Sequence, residues 1–191
     1  MEAHETQEHI EQAHHRSNKR AAILIASLAA LLAIAEMAGK HAQTASIAHN
    51  IEASDLWAFY QAKTIRSTVL RTAIEAVELN PAEDATAQEA RQKRLAAWHS
   101  TVERYESDPA TKEGRKELAE RAKLTGELRD RTLGAYRDFE YSSAAFQLAI
   151  VMASAAVITE FALLELVSLG LGLAGIACAL VGWFAPMLIE L

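Results

Sequence analysis

Cys178 is the only cysteine, so no disulfide can close within the chain. Basic residues are not in excess: nineteen Lys and Arg stand against twenty-five Asp and Glu, for a net charge of −6. A nucleic-acid partner is therefore not expected. The chain has no glycine-rich phosphate-binding loop, no nucleophile elbow, no CxxC and no HExxH. Those absences remove the common signatures of catalysis, and the chain is expected not to be an enzyme and to carry no cofactor. Proline is also scarce, and from Lys40 to Leu79 there is neither Pro nor Gly.

What is present is an uneven distribution of charge. Residues 21–35, AAILIASLAALLAIA, carry none, and neither do residues 144–159 or 166–189. Between the first two runs lie seventeen acids and sixteen bases, over residues 40–143. Such a contrast is that of a membrane protein with one polar insert rather than of a globular enzyme. The fold class expected is all-α: three transmembrane helices and an extended, coiled-coil-like helical hairpin between spans 1 and 2. The expected division is a charged His/Glu-rich leader at 1–20, a first span at 21–39, the insert at 40–143, and later spans at 144–163 and 168–189.

The first span includes Glu36. Its seven Leu and Ile residues contribute about −3.5 kcal/mol to insertion, and an off-centre acid costs less than the ~3 kcal/mol of one at the midplane. A rival reading takes Ala33-Ile34-Ala35 as a signal-peptide cleavage site. The four acids of the leader and its length argue against that. Small residues recur every four positions at Ala22, Ala26 and Ala30, at Ala145, Ala149 and Ala153, and at Gly175 and Ala179. They are expected to let helices approach closely in lipid. Arg16, Lys19 and Arg20 before the first span favour a cytoplasmic N-terminus, with the insert on the periplasmic side of a bacterial inner membrane.

In the insert, Ile51, Ala58, Ile65, Thr72 and Leu79 recur every seven residues, beside Ala48, Asp55, Ala62, Val69 and Ala76. Two such stripes form a seam for a partner helix. Forty helical residues rise about 60 Å, so the rest of the insert must return as a second arm. That arm is expected to be kinked at Pro109, with a helix starting at about 109 and capped by Ser107 or Asp108. Leu95, Trp98, Val102 and Tyr105 mark one face of its upper helix. Large apolar residues are few, so self-association through the Ala-rich seam is the expected remedy.

Residues 53–67 read ASDLWAFYQAKTIRS, and position 57 lies about 27 Å beyond residue 39 on a straight helix. The rings of Trp57, Phe59 and Tyr60 are thus beyond the headgroups and are expected to pack on the second arm, against Leu128, Leu133 or Tyr136. Lys63 and Arg66 are expected to pair with Asp55, Glu52 or acids opposite. Asp55, Trp57, Tyr60, Lys63 and Trp98 are the candidates for stalk packing or for recognition of a protein partner. DLWAFYQAKTIRS, VERYE and AFQLAIVMASAAVIT together resemble a bacterial family of small membrane proteins, domain-of-unknown-function family 4337. The most specific element is D-x-W-A-x-Y-Q-A-K, from Asp55 to Lys63. The resemblance implies three spans with a charged helical insert and implies no activity. Members often carry bases between the last two spans, where this chain has TEFALLE, so no orientation is carried over.

Two further constellations bear on chemistry. His4 with Glu8, Glu5 with His9 and Glu11 with His15 sit four apart in the leader; as solvated helix pairs they are commonplace, and no metal site is expected. Acids within spans tend to mark ion or proton paths. Glu36, Glu160 and Glu165 are the candidates, particularly if an oligomer gathers them into a ring. The blander alternative places all three at the interfaces. The function expected is that of a non-enzymatic, homo-oligomeric membrane protein whose stalk scaffolds or binds other proteins; the alternative is a small oligomeric ion channel or an accessory subunit of a membrane complex.

Overall fold

The computed structural model describes the backbone of residues 2–80 and 84–188, and side chains from Lys19 onward within those ranges. The His/Glu pairs of the leader lie outside the described side chains. Four helices account for nearly all of it: α1 (Glu2–Leu79), α2 (Ala85–Glu106), α3 (Arg115–Thr159) and α4 (Ala162–Phe184). Strands are absent among the described residues, and α1, α3 and α4 are each long and apolar enough to cross a membrane. The residues group into two compact units, one of Met1–Ser46 with Asp130–Leu191 and one of Ile47–Arg129.

In the first unit, Leu28 and Ala35 of α1 meet Phe146 and Ala149 of α3 in a buried cluster, flanked by Leu24, Leu31, Leu32, Ile150 and Leu171. Helices α3 and α4 run antiparallel. Ser168 Oγ donates to Ala149 O at 2.8 Å, and Ser142 Oγ donates to Gly175 O at 2.8 Å. Both hydroxyls are fully buried, and each satisfies itself on the neighbouring helix, as polar groups away from water must. Glycine sets the spacing. A Cβ on Gly172 would meet Leu28, one on Gly175 would meet the Phe146 ring, and one on Gly182 would meet Asp138. The run Gly170-Leu-Gly172-Leu-Ala-Gly175 has the letter spacing of a dinucleotide fingerprint. That motif requires a strand before it and a helix opening at it. Here all three glycines lie inside α4, and Gly172 and Gly175 serve packing.

Two expectations about these helices need correction. Ala22, Ala26 and Ala30 point outward, and the close approach of α1 runs through Leu28, Ala35 and Gly39 instead. The last helix was expected at 168–189 and occupies Ala162–Phe184. It starts early because Glu160 adopts the left-handed conformation at φ 54, so that the chain reverses within two residues. It ends early because a residue before proline is pushed away from helical torsions, and Ala185 precedes Pro186 with φ −145.

In the second unit, α1 packs antiparallel on α2 and then on the start of α3. Arg91 Nη2 donates to Glu78 O at 2.9 Å, and further down Leu56 of α1 meets Leu118 and Ala122 of α3. The buried and half-buried stripe of α1 here is His49, Ala53, Leu56, Tyr60, Lys63, Ser67, Leu70, Ile74 and Val77. Its steps alternate three and four, the spacing that keeps one helical face on a neighbour. The seam of Ile51, Ala58, Ile65, Thr72 and Leu79 lies on the opposite face and is exposed. The hairpin therefore closes on the stripe that the apolar pattern did not single out.

Asp84 caps α2, its carboxylate accepting from Ala87 N at 2.7 Å. The second arm is interrupted over residues 107–114, and α3 begins at Arg115 rather than at about 109. Pro109 and Ala110 belong to a turn instead of a first helical turn. Lys112 closes that turn in the left-handed region, at φ 57, which a continuing helix does not allow.

Candidate functional site

The residues singled out in ASDLWAFYQAKTIRS gather around that interruption. Tyr60 lies on the inner face of α1, where its hydroxyl accepts from Arg115 Nη2 at 3.1 Å. The same guanidinium lies 5.1 Å from the Tyr60 ring centroid and bridges to Glu106 at 2.8 Å. Arg115 thus ties the last turn of α2 to the first of α3 and fastens both to α1. The Tyr60 hydroxyl, ahead of the Glu106 carboxylate, raises its already high pKa. Trp57 meets Tyr60 edge to face, with centroids 5.5 Å apart, and is 38% exposed.

Lys63 is the second clamp. Its side chain is buried, with the ammonium 5.2 Å from the Phe59 ring and 5.1 Å from the Tyr105 ring. Glu113 supplies the counter-charge at 3.8 Å. Aromatic faces attract a cation, and more so once it leaves water. Of the partners expected for Lys63, it meets an acid opposite rather than Asp55 or Glu52, because Lys63 faces inward and Asp55 outward. The rings of Phe59 and Tyr60 pack against the cluster of Leu56, Leu118 and Ala122. Of the partners expected for them, Leu128 is half exposed, and Leu133 and Tyr136 belong to the first unit. Trp98 is half-buried on α2.

A third element locks the joint. Ser107 Oγ donates to Glu117 Oε1 at 2.6 Å, and Asp108 N donates to Glu117 Oε2 at 3.1 Å. The Ser107 hydroxyl is the main cause of a lowered Glu117 pKa, and Asp108 is lowered by Thr111. Both carboxyls sit below their unfolded values. Their contribution is fully present above the ordinary carboxylate range and is lost as the pH falls through the lowered values. Acidification is thus expected to loosen the joint, and Ser107→Ala to shift the transition to higher pH. Circular dichroism against pH on the two proteins checks this; identical profiles would contradict it.

Asp55 faces a groove of about 670 Å³ with Ile51, Glu52, Glu113 and Arg121. Glu36, Glu160 and Glu165 are all exposed. Gln147 Nε2 donates to Glu36 Oε1 at 3.3 Å, whereas Glu160 lies thirteen residues further along the chain than Gln147. Thirteen residues of helix rise about 20 Å, so one molecule does not bring these acids together. Glu36 instead lines a groove of about 640 Å³ with Lys40, Tyr136, Glu140 and Gln147. The Tyr136 hydroxyl donates to Glu140 at 2.5 Å.

Sequence reasoning did not find Glu106, Glu113, Arg115 and Glu117, which cluster around Ser107-Asp108-Pro109 and were legible as groups flanking a helix break. It also missed Asp138, whose side chain is 1% exposed and whose Oδ2 has no hydrogen-bond partner. Among the described residues, no group of three or more His, Cys, Asp or Glu is placed to hold a metal. Lys63, Glu106, Glu113, Arg115 and Glu117 are thus each paired with another polar group or a ring around the interruption.

The family model described as domain of unknown function (DUF4337) matches residues 17–185, and the chain belongs to that family. Comparison with curated proteins and with solved structures finds no match.

Proposed function

We propose that this member of the family is a non-enzymatic integral membrane protein, anchored by α1, α3 and α4. Its polar helical unit acts as a self-association and interaction module. The observation that carries the reading is the apolar stripe on the outer face of α1 in the second unit, with Ile51 56% and Ile65 64% exposed. Large apolar side chains aligned on one face and left to solvent mark an interaction surface. The paired groups at the joint support a structural rather than a chemical use of Tyr60 and Lys63. Leu148, Leu169, Leu173 and Leu180 on the outside of the first unit are half or more exposed, as lipid-facing residues are. The bases before α1's apolar run support a cytoplasmic N-terminus.

Ala62→Trp places a large ring on this face and is expected to lower the mass of the detergent-solubilised particle to that of one chain. An unchanged oligomer mass would count against the surface. The channel reading draws on Glu36 in its groove and on Glu160. Glu36→Gln together with Glu160→Gln separates the two: the module reading expects no conductance in planar bilayers from either protein, and a channel expects a conductance whose cation selectivity the substitutions change.

A further inference from the structure

The groove beside Glu36 carries charge of both signs, kept apart. Glu36 and Lys40 are four residues apart on α1, the spacing at which such a pair usually closes on itself. Here it does not: among the described residues, none of Glu36, Lys40 and Glu140 is in an ion pair. Neutral donors of α3 hold the acids instead. Gln147 Nε2 donates to Glu36 at 3.3 Å, and the Tyr136 hydroxyl donates to Glu140 at 2.5 Å. An amide and a phenol fix where the carboxylates stand without cancelling their charge. The groove, of about 640 Å³, thus offers two carboxylates and one ammonium, all on exposed residues. A ligand that answers both signs is a zwitterion.

Position decides which kind of zwitterion. A Cβ on Gly39 would stand 3.3 Å from Phe139 Cβ, so α1 and α3 are level there. The charge-free residues 21–35 of α1 end just before Glu36, and the charge-free residues 144–159 of α3 begin just past Tyr141. The groove therefore straddles the boundary between polar and apolar stretches on both helices. On the apolar side, Ile34, Leu148 and Val151 are each more than half exposed, a surface that acyl chains would cover. On the polar side, Tyr136 and Tyr141 line the groove, and such amphipathic rings suit the level of the headgroups. Among headgroups, a primary ammonium donates three hydrogen bonds and a quaternary one has no N–H to give. Two fixed carboxylate acceptors favour the first. An anionic headgroup would satisfy Lys40 and leave Glu36 and Glu140 facing like charge.

Resting on the membrane anchoring proposed above, we infer that this groove binds the headgroup of a phosphatidylethanolamine-type lipid, its phosphate on Lys40 and its ammonium between Glu36 and Glu140. Native mass spectrometry of the full chain in detergent, titrated with one lipid at a time, reads the affinity of the first lipid bound. Phosphatidylethanolamine is expected to bind about fivefold more tightly than phosphatidylcholine or phosphatidylglycerol. Lys40→Gln is expected to weaken it about fivefold, and Glu36→Gln together with Glu140→Gln to erase its preference over phosphatidylcholine. Glu165→Gln, an exposed acid outside the groove, is expected to keep that preference. Glycerophosphoethanolamine, which has the headgroup without the chains, is expected not to displace the lipid at equal concentration; displacement would make the ligand a soluble phosphoamine and overturn the lipid. Equal affinities for the three lipids, or a preference that survives the double substitution, would overturn the site while the protein still floats with vesicles. A chain that floats with vesicles of no composition would overturn the anchoring and the site together.

Discussion

Leu118→Ala is expected to destabilise the polar unit by about 2–5 kcal/mol, the usual cost of emptying a buried leucine site. Leu118 is 0% exposed and sits between Leu56 and Ala122, with Phe59 and Tyr60 beside it. It lies one turn inside α3, next to the joint that Arg115 and Glu117 hold. The cavity would open where the second arm resumes after its interruption, and the surrounding rings are already held by Arg115 and Lys63, so they have little freedom to collapse into it. Leu124, on the same helix, is 54% exposed, and Leu124→Ala is expected to change stability by less than about 0.5 kcal/mol. Denaturant unfolding followed by circular dichroism compares the two. Equal effects would mean that α1 and α3 do not meet at Leu118.

The second large effect is expected in the apolar unit. A Cβ on Gly175 would stand 2.8 Å from the Phe146 ring, and Phe146 is itself 1% exposed among close-packed neighbours. Gly175→Val must push α4 away from α3 or force the ring off its rotamer, which typically costs about 1–3 kcal/mol. It also strains the bond from Ser142 Oγ to Gly175 O. Gly170 has open space where its Cβ would stand, so Gly170→Ala is expected to be neutral or to stabilise by up to about 1 kcal/mol through helix propensity. Thermal melts in one detergent should put Gly175→Val well below the parent and Gly170→Ala at or above it. A Gly175→Val protein melting with the parent would show that α3 and α4 are not in contact there.

The three apolar helices were legible because long charge-free runs suit the hydrocarbon of a bilayer and little else. The inner face of the hairpin was not, and the reason is its composition. Its stripe includes Tyr60, Lys63 and Ser67, side chains that a search for apolar periodicity passes over. Lys63 becomes a core residue only because Phe59, Tyr105 and Glu113 surround it, and two of those three lie more than forty positions away. Meanwhile Ile51, Ile65 and Val69 gave the clearer heptad and sit on the outside. The seam read from the sequence is thus an exposed surface of the folded chain.

The break at Ser107-Asp108-Pro109 was found, but its length was not. Proline marks where a helix cannot pass. It does not tell that Glu117, ten residues beyond Ser107, would accept from both Ser107 and Asp108 and so hold the turn open until Arg115. Of the acids in the apolar helices, Glu36 stands beside Gln147 and Glu160 at the reversal between α3 and α4, so a ring of them would have to be drawn from several chains.

Embedding of the apolar unit in lipid, with the polar unit in water, is measured most directly by collision of a nitroxide with oxygen and with a water-soluble nickel chelate. Labels at Leu173→Cys and Ile65→Cys, each in the Cys178→Ser chain reconstituted in vesicles, report one site in each unit. The account predicts strong oxygen and weak nickel collisions at position 173, and the reverse at position 65. Ready access of nickel to position 173 in the reconstituted protein would contradict it.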